Sequence, residues 1–120
     1  MISITLSRNC NGHIYAFSVE NHGAVEMCEA VSILTMNTIN CIELFTDVAI
    51  DVFMDDDGGL LRVEFPEIKV EENGHVSHDA NLLLETMAVG LFSTKEWYDE
   101  EVEAGKEVGI DIEIKDDNHD

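Results

Sequence analysis

Apolar and polar residues alternate in five stretches of the chain, and this alternation is typical of half-buried β-strands. The pattern predicts strands at 2–6, 13–19, 48–52, 61–65 and 108–114. Between the first two strands, Asn11 and Gly12 form the strongest short signal for a hairpin turn. Both central positions of a type I′ turn favour residues that adopt a positive φ.

Two stretches between the strands carry apolar residues at intervals of three and four, which is the period of one helix face. The first, from 24 to about 45, lacks glycine and proline and predicts a central helix with Cys28 in its first turn. The second, from 77 or 79 to about 99, predicts another helix. Gly90 is its weakest position because glycine lowers helix propensity.

The order of these elements is ββαββαβ, and it predicts a single α+β domain over residues 1–115. One mostly antiparallel sheet packs against two helices in this arrangement. The 120 residues are enough to bury a sizeable core without a disulfide or a metal. Residues 116–120 are predicted to form a solvated acidic tail.

Acidic residues dominate the composition: Lys and Arg number 6, Asp and Glu number 26, and the formal net charge is −20. Phosphate backbones and anionic membrane surfaces carry the same sign, so the charge disfavours direct binding to nucleic acid or to a membrane. A basic protein or peptide is the favoured partner. The 45% hydrophobic content distinguishes the chain from a disordered acidic tail.

The start of the chain lacks the basic segment and apolar run of a signal peptide, and no stretch of about 18 apolar residues is present. The odd number of cysteines, 3, indicates free thiols in a reducing compartment. We therefore expect a cytoplasmic protein. No cofactor and no metal are expected, because the sequence has no Gly-rich phosphate loop and its acidic and histidine clusters lack a complete ligand set.

Cys28 and His22 are the residues best placed for chemistry. Unpaired N–H groups and the macrodipole at a helix start favour a thiolate at Cys28. His22 lies six positions earlier, beside Gly23, and an imidazole close to a thiol can accept its proton. Ser32 follows Cys28 by one turn on the same helix face. The same residues also fit a core cysteine and a solvated histidine, which are the commoner situations.

The run from Cys28 to Ser32, Cys-Glu-Ala-Val-Ser, resembles the opening of the catalytic helix in the ribosomal-processing cysteine protease family (Prp). The hairpin and the turn of His22 and Gly23 that precede it resemble the same family. Further matching positions are Asn37, Asn40, 81–87, Gly90, Leu91, Trp97 and Tyr98. The resemblance covers nearly the whole chain.

This resemblance implies a cytoplasmic, homodimeric cysteine endopeptidase. Such enzymes remove a short N-terminal extension from a large-subunit ribosomal protein, which is a basic substrate, and cut after an aromatic residue and before a small one. His22 matches the catalytic histidine of the family and Cys28 matches its nucleophile. Ser32 matches a serine that lines the site, and Gly23 supports the turn beside His22.

Three departures from the family pattern accompany the resemblance. Only five residues, 23–27, separate His22 from Cys28, whereas the loop of the family is longer. Val25 stands where the family has an acidic residue, and Asn21 and Gly23 replace the small residues that flank the histidine. These departures leave an alternative open: a non-catalytic acidic module that keeps the fold and binds a basic ribosomal protein.

Overall fold

The computed structural model of the protein describes residues 2–21, 29–55, 59–71, 77–105 and 112–118. The elements in chain order are β1 (Ile2–Arg8), β2 (Ile14–Asn21), α1 (Glu29–Phe45), β3 (Asp51–Met54), β4 (Leu60–Glu64), α2 (Pro66–Lys69), α3 (His78–Glu103) and β5 (Ile112–Asn118). The α+β fold predicted from the sequence is confirmed. Each predicted strand and helix overlaps an observed one, and the single-turn helix α2 is an additional element.

The strands form a five-stranded sheet in the order β3-β4-β2-β1-β5. Antiparallel pairing joins β1 to β2, β2 to β4 and β3 to β4, whereas β5 pairs with β1 in parallel. The prediction of a mostly antiparallel sheet is confirmed. The central strand is β2, and β3 and β5 lie at the two edges among the strands that the structure describes.

One face of the sheet carries the core, because alternate strand residues point to it. Helices α1 and α3 cover this face and pack against each other. The largest fully buried side chains, from strands and helices alike, are Phe17, Phe65, Ile2, Ile4, Leu6, Ile14, Ile42, Ile68, Leu84, Met87, Leu91 and Val19. No helix within the described ranges is both long enough and apolar enough to cross a membrane.

The predicted boundaries of two strands are wrong. The third strand begins at Asp51 and not at Val48. Val48 and Ile50 are half-buried against the core, so their alternation reflects burial of the connection between α1 and β3. The last strand continues to Asn118, so the predicted tail is wrong for residues 116–118. Residues 24–28 of the first predicted helix and 108–111 of the last predicted strand lie outside the described residues.

The first hairpin is confirmed, but its predicted two-residue turn is wrong. Arg8 pairs with Ile14, so the loop contains the five residues from Asn9 to His13. The Asn9 side-chain Oδ1 accepts hydrogen bonds from the main-chain N–H groups of Asn11 (2.9 Å) and His13 (3.0 Å). Gly12 adopts a φ of 82°, which a side chain would strain. The buried amide of Asn9 therefore organises the longer loop.

Candidate active site

The predicted catalytic residues His22 and Cys28, with Gly23, lie outside the described residues. The prediction requires a strand before His22 and a helix after Cys28, and the structure describes both elements. The strand β2 ends at Asn21, the residue before His22, and the helix α1 begins at Glu29, the residue after Cys28. The approach of the two catalytic side chains stays a prediction.

The strand end that precedes His22 belongs to the interior of the sheet. Glu20 pairs with Ser3 of β1 on one side and with Leu60 of β4 on the other, and Asn21 pairs with Ile2. Neighbours on both sides hold this end of β2 in place through main-chain hydrogen bonds. The last residues of β2 before His22 are therefore held within the sheet.

The first turn of α1 is fixed against the core. Val31 is fully buried, and the hydroxyl of the buried Thr35 donates to the Val31 carbonyl oxygen at 2.9 Å. Ser32, the one predicted site residue that the structure describes, is half-buried in the same turn. The N–H groups of a first helical turn have no partner within the helix, and they carry the positive end of its dipole.

The two long helices approach each other closely at Gly90 of α3 and Leu34 of α1. A Cβ atom added to Gly90 of α3 would lie 2.8 Å from Cδ2 of Leu34 in α1. Real Cβ atoms essentially never come this close to another carbon atom, so glycine permits the observed spacing. The structure therefore gives Gly90, the predicted weak position, a role in helix packing.

A buried polar cluster, which the sequence analysis did not predict, joins the β1–β2 loop to Glu71, the second residue after α2. The Glu71 side chain is fully buried, and its Oε1 accepts hydrogen bonds from Nδ2 of Asn9 (2.9 Å) and Nδ2 of Asn11 (3.3 Å). Nδ1 of His13 lies 2.5 Å from the same oxygen. These three residues stand about 60 positions before Glu71, so no local spacing indicates the cluster.

Two opposing effects set the pKa of Glu71. Burial raises this pKa, because the charged form loses water. The hydrogen bonds from Asn9, His13 and Asn11 favour the charged form and outweigh burial, so the pKa of Glu71 is below its ordinary value. The carboxylate is therefore ionised at neutral pH.

Arg8, the last residue of β1, joins three elements. Its guanidinium donates to Asp116 of β5 at 2.7 and 3.1 Å, to both carboxylate oxygens of Glu85 in α3, and to the Gly12 carbonyl oxygen at 2.9 Å. Hydrogen bonding to Asp116 and then to Glu85 raises the pKa of Arg8 above its ordinary value, against the effect of burial. This network connects the parallel strand β5 to β1 and α3.

Two described cysteines lie away from the candidate site. Cys10 is exposed in the first hairpin loop, Cys41 is half-buried in α1, and both are free thiols. Asp55 donates its main-chain N–H to the carbonyl oxygen of Leu60 at 3.0 Å, next to the β3–β4 ladder. Within the described ranges, no group of three or more His, Cys, Asp or Glu residues could hold a metal ion.

Comparison with known proteins identifies the family. A sequence model of the family described as cysteine protease Prp matches residues 1–103. The chain belongs to the Prp family of cysteine proteases. The resemblance inferred from the sequence is confirmed, and the match includes the positions of His22, Cys28 and Ser32. A comparison with curated proteins finds no match.

Solved structures share the Prp fold over almost the whole chain. The essential ribosomal processing protease Prp from S. aureus, in complex with a covalently linked product peptide, has a TM-score of 0.72 and 24% identity. The same protease in complex with a substrate peptide gives 0.72 and 22%. Each match covers 98% of this chain and 100% of the other. SMU.848 from Streptococcus mutans gives 0.73 and 23%, covering 99% of both chains. At these identities the similarity shows a common fold.

Proposed function

We propose that this chain is a cysteine endopeptidase that removes a short N-terminal extension from a large-subunit ribosomal protein. The observation that carries the proposal is the Prp family match over residues 1–103. The similar S. aureus protease, named as a ribosomal processing protease and solved with substrate and product peptides, supports the substrate class. The −20 charge supports it as well, because ribosomal proteins are basic.

In the proposed mechanism, His22 accepts the proton of the Cys28 thiol and the thiolate attacks the scissile carbonyl carbon. The C–N bond then breaks, His22 returns the proton to the departing amine, and water hydrolyses the acyl-enzyme. The main-chain N–H groups at the start of α1 stabilise the negative oxygen of the tetrahedral intermediate. Ser32, four residues after Cys28 and half-buried, lines the substrate site and Gly23 supports the turn beside His22.

The proposal includes a homodimer in the cytoplasm. Apolar side chains exposed on the helix faces that point away from the sheet support the dimer. Ile33 and Leu44 lie on this face of α1, and Leu82 and Val89 lie on the corresponding face of α3. Light scattering is expected to give twice the mass of the 13.4 kDa chain, and the substitution Val89→Lys is expected to give the monomer mass. A monomer in the unmodified protein would contradict this part of the proposal.

The alkylation rate of each cysteine tests the catalytic proposal. Iodoacetamide is expected to modify Cys28 faster than the exposed Cys10 and the half-buried Cys41 near neutral pH, because the proposed mechanism has His22 accept the Cys28 proton and hold the thiolate. The substitution His22→Ala is expected to slow modification of Cys28 alone. Mass spectrometry of the digested protein measures all three rates in one sample, so Cys10 and Cys41 are internal controls.

The same experiment distinguishes the non-catalytic alternative, a binding module on the same fold. The short segment 23–27 and Val25 favour this alternative. Equal and slow modification of all three cysteines, together with tight binding of the extended ribosomal protein and no cleavage, would support the binding module and contradict the protease.

A further inference from the structure

We propose that β3 binds the main chain of the substrate: an extended segment with basic and apolar side chains adds to the sheet beside this edge strand. The inference rests on the proposed function, since it names where the polypeptide lies before it is cut. The open edge of β3 would hold substrate residues remote from the scissile bond, and their binding energy would add to that of the catalytic site.

The strands that the structure describes pair with only one edge of β3. Pairing with β4 is antiparallel, and the N–H of Asp55 donates to Leu60 at 3.0 Å just beyond the strand. Hydrogen-bonded pairs alternate along an antiparallel ladder, so Phe53 and Asp51 also direct their main-chain groups to β4. Val52 and Met54 direct theirs away from it. Within the described ranges, no strand pairs with this second edge.

The side chains of β3 are unusually apolar for an exposed edge. Val52, Phe53 and Met54 are 49%, 53% and 53% exposed. Natural edge strands are commonly protected from pairing by lysine, proline or a bulge, and the strand Asp-Val-Phe-Met has neither lysine nor proline. An edge that is both open and apolar suits the addition of a further strand.

Carboxylates surround this apolar edge and indicate a basic partner. Asp51 and Asp55 lie at its two ends, and the exposed Asp47 lies in the connection that leads to it. Two described cations lie near the strand: Arg62 of β4 lies opposite Phe53 on the sheet face away from the helices, and Lys69 forms an ion pair with Glu64, which lies opposite Asp51. Lysine and arginine side chains of a bound peptide would meet the acidic ends of the strand, as electrostatic complementarity requires.

A second copy of this chain fits the edge less well. Antiparallel pairing of β3 with the β3 of another copy, centred on Phe53, would place Asp51 of each copy opposite Asp55 of the other. Like charges directly opposite in a sheet are destabilising. The charges therefore favour a basic peptide as the occupant.

β3 lies close to the strand end that precedes His22. Met54 pairs with Leu61, which pairs with Val19 of β2, two residues before Asn21. A strand added outside β3 is three strand spacings from β2, and with two residues along the sheet its distance from Asn21 is about 16 Å, which about five residues of extended peptide can span. Substrate residues about five or more positions from the cut would contact β3.

Peptide binding to the Cys28→Ala variant tests the inference, because this variant cannot consume its ligand. The probe is a short fluorescent peptide of alternating lysine and valine, and fluorescence anisotropy gives its Kd. Two control peptides accompany it: one has alternate main-chain nitrogens methylated, and the other has glutamate in place of lysine. Both controls are expected to bind more weakly, because they lack main-chain donors or carry the wrong charge.

Substitutions in β3 locate the binding site. Val52→Pro removes an N–H that points away from β4, so the ladder with β4 keeps its hydrogen bonds. Loss of one such hydrogen bond is expected to weaken peptide binding about three- to tenfold. Val52→Lys, which repels the peptide and keeps the main chain, is expected to weaken binding similarly. Val70→Lys, at an exposed valine outside the sheet, is the matched control and is expected to leave Kd unchanged.

Several outcomes would overturn the inference. It is contradicted if both Val52 variants keep the Kd of the unmodified protein, or if the methylated peptide binds as tightly as the probe. It is also contradicted if peptide addition leaves amide exchange at Val52 and Met54 unchanged. A loss of dimer mass in the Val52 variants would assign the edge to a second copy instead. If the peptide binds at β3 but Cys28 is unreactive, only the proposed protease activity is contradicted. If both Val52 variants cleave normally and the peptide binds elsewhere, only this inference is contradicted.

Discussion

Replacing Glu71 by glutamine is expected to destabilise the protein at neutral pH while preserving the shape of the side chain. In the unmodified protein a fully buried carboxylate oxygen accepts from Asn9 and Asn11 and lies 2.5 Å from Nδ1 of His13. Hydrogen bonds to a charged acceptor contribute roughly 1.5–3 kcal/mol each and neutral ones roughly 0.5–1.5 kcal/mol. Glutamine can keep some of the bonds, so we expect a net loss of about 1–3 kcal/mol in the free energy of unfolding.

The destabilisation has a defined pH dependence. Because the pKa of Glu71 is lower in the folded than in the unfolded protein, its contribution to stability is fully present above the unfolded value. The contribution is lost as the pH falls through the folded pKa, where the buried carboxylate accepts a proton. The stability difference between the unmodified protein and Glu71→Gln should therefore be largest near pH 7 and decrease in acid.

Urea denaturation followed by circular dichroism measures this difference at several pH values. The substitution Glu96→Gln, at an exposed carboxylate of α3, changes the charge equally and is the matched control. Its stability should stay within about 0.5 kcal/mol of the unmodified protein. A Glu71→Gln variant as stable as the unmodified protein at pH 7 would refute the reasoning. So would a stability difference that stays constant as the pH falls, because the carboxylate would then not be the cause.

Three further expectations concern packing and charge. Arg8→Met removes the hydrogen bonds to Asp116 and Glu85, but both carboxylates are partly exposed and can be hydrated instead. We therefore expect the free energy of unfolding to fall by about 1–2 kcal/mol and amide exchange in β5 to become faster. Gly90→Val should lower stability by up to about 1–3 kcal/mol, and the loss should be smaller when it is introduced into a Leu34→Ala background, because the 2.8 Å approach is to the Leu34 side chain. Binding of a basic peptide should weaken steeply between low and high salt, because the −20 charge is screened; a flat salt series in titration calorimetry would contradict this.

Hydrophobic periodicity predicted the elements well where one face of an element meets the core. Ile2, Ile4 and Leu6 alternate because the sheet has one covered face, and all three are buried. The same alternation at Val48 and Ile50 predicted a strand that begins too early. Burial alone produces this pattern, and a strand also needs a partner on its hydrogen-bonding edge, which the sequence of one segment does not reveal.

Long-range contacts explain what the sequence analysis missed. The loop from Asn9 to His13 is longer than predicted because the Asn9 side chain bonds to its main chain and to Glu71, a residue far along the chain. The predicted solvated tail is wrong at Asp116 because the Arg8 side chain, far away in the sequence, donates hydrogen bonds to its carboxylate. The acidic residues next to Asp116 in the sequence indicated a solvated segment. For the candidate site, the residue spacing left a catalytic pair and a core cysteine with a solvated histidine both open, and the family resemblance favoured His22 and Cys28 as a catalytic pair.

The sheet separates the stabilising polar networks from the candidate catalytic site. Asn21 pairs with Ile2 at one end of β1, whereas Arg8 lies at the other end, about 20 Å away at 3.3 Å per residue. Arg8 and Glu71 act at this distant end, which joins the first hairpin loop to α2, α3 and β5. Variants of Arg8 and Glu71 should therefore lower the temperature of unfolding and leave the alkylation rate of Cys28 unchanged in the folded protein. Substitution of Val31, which packs the first turn of α1 against the core, should change both the temperature of unfolding and the alkylation rate of Cys28. The same packing stabilises α1 and positions its N-terminus.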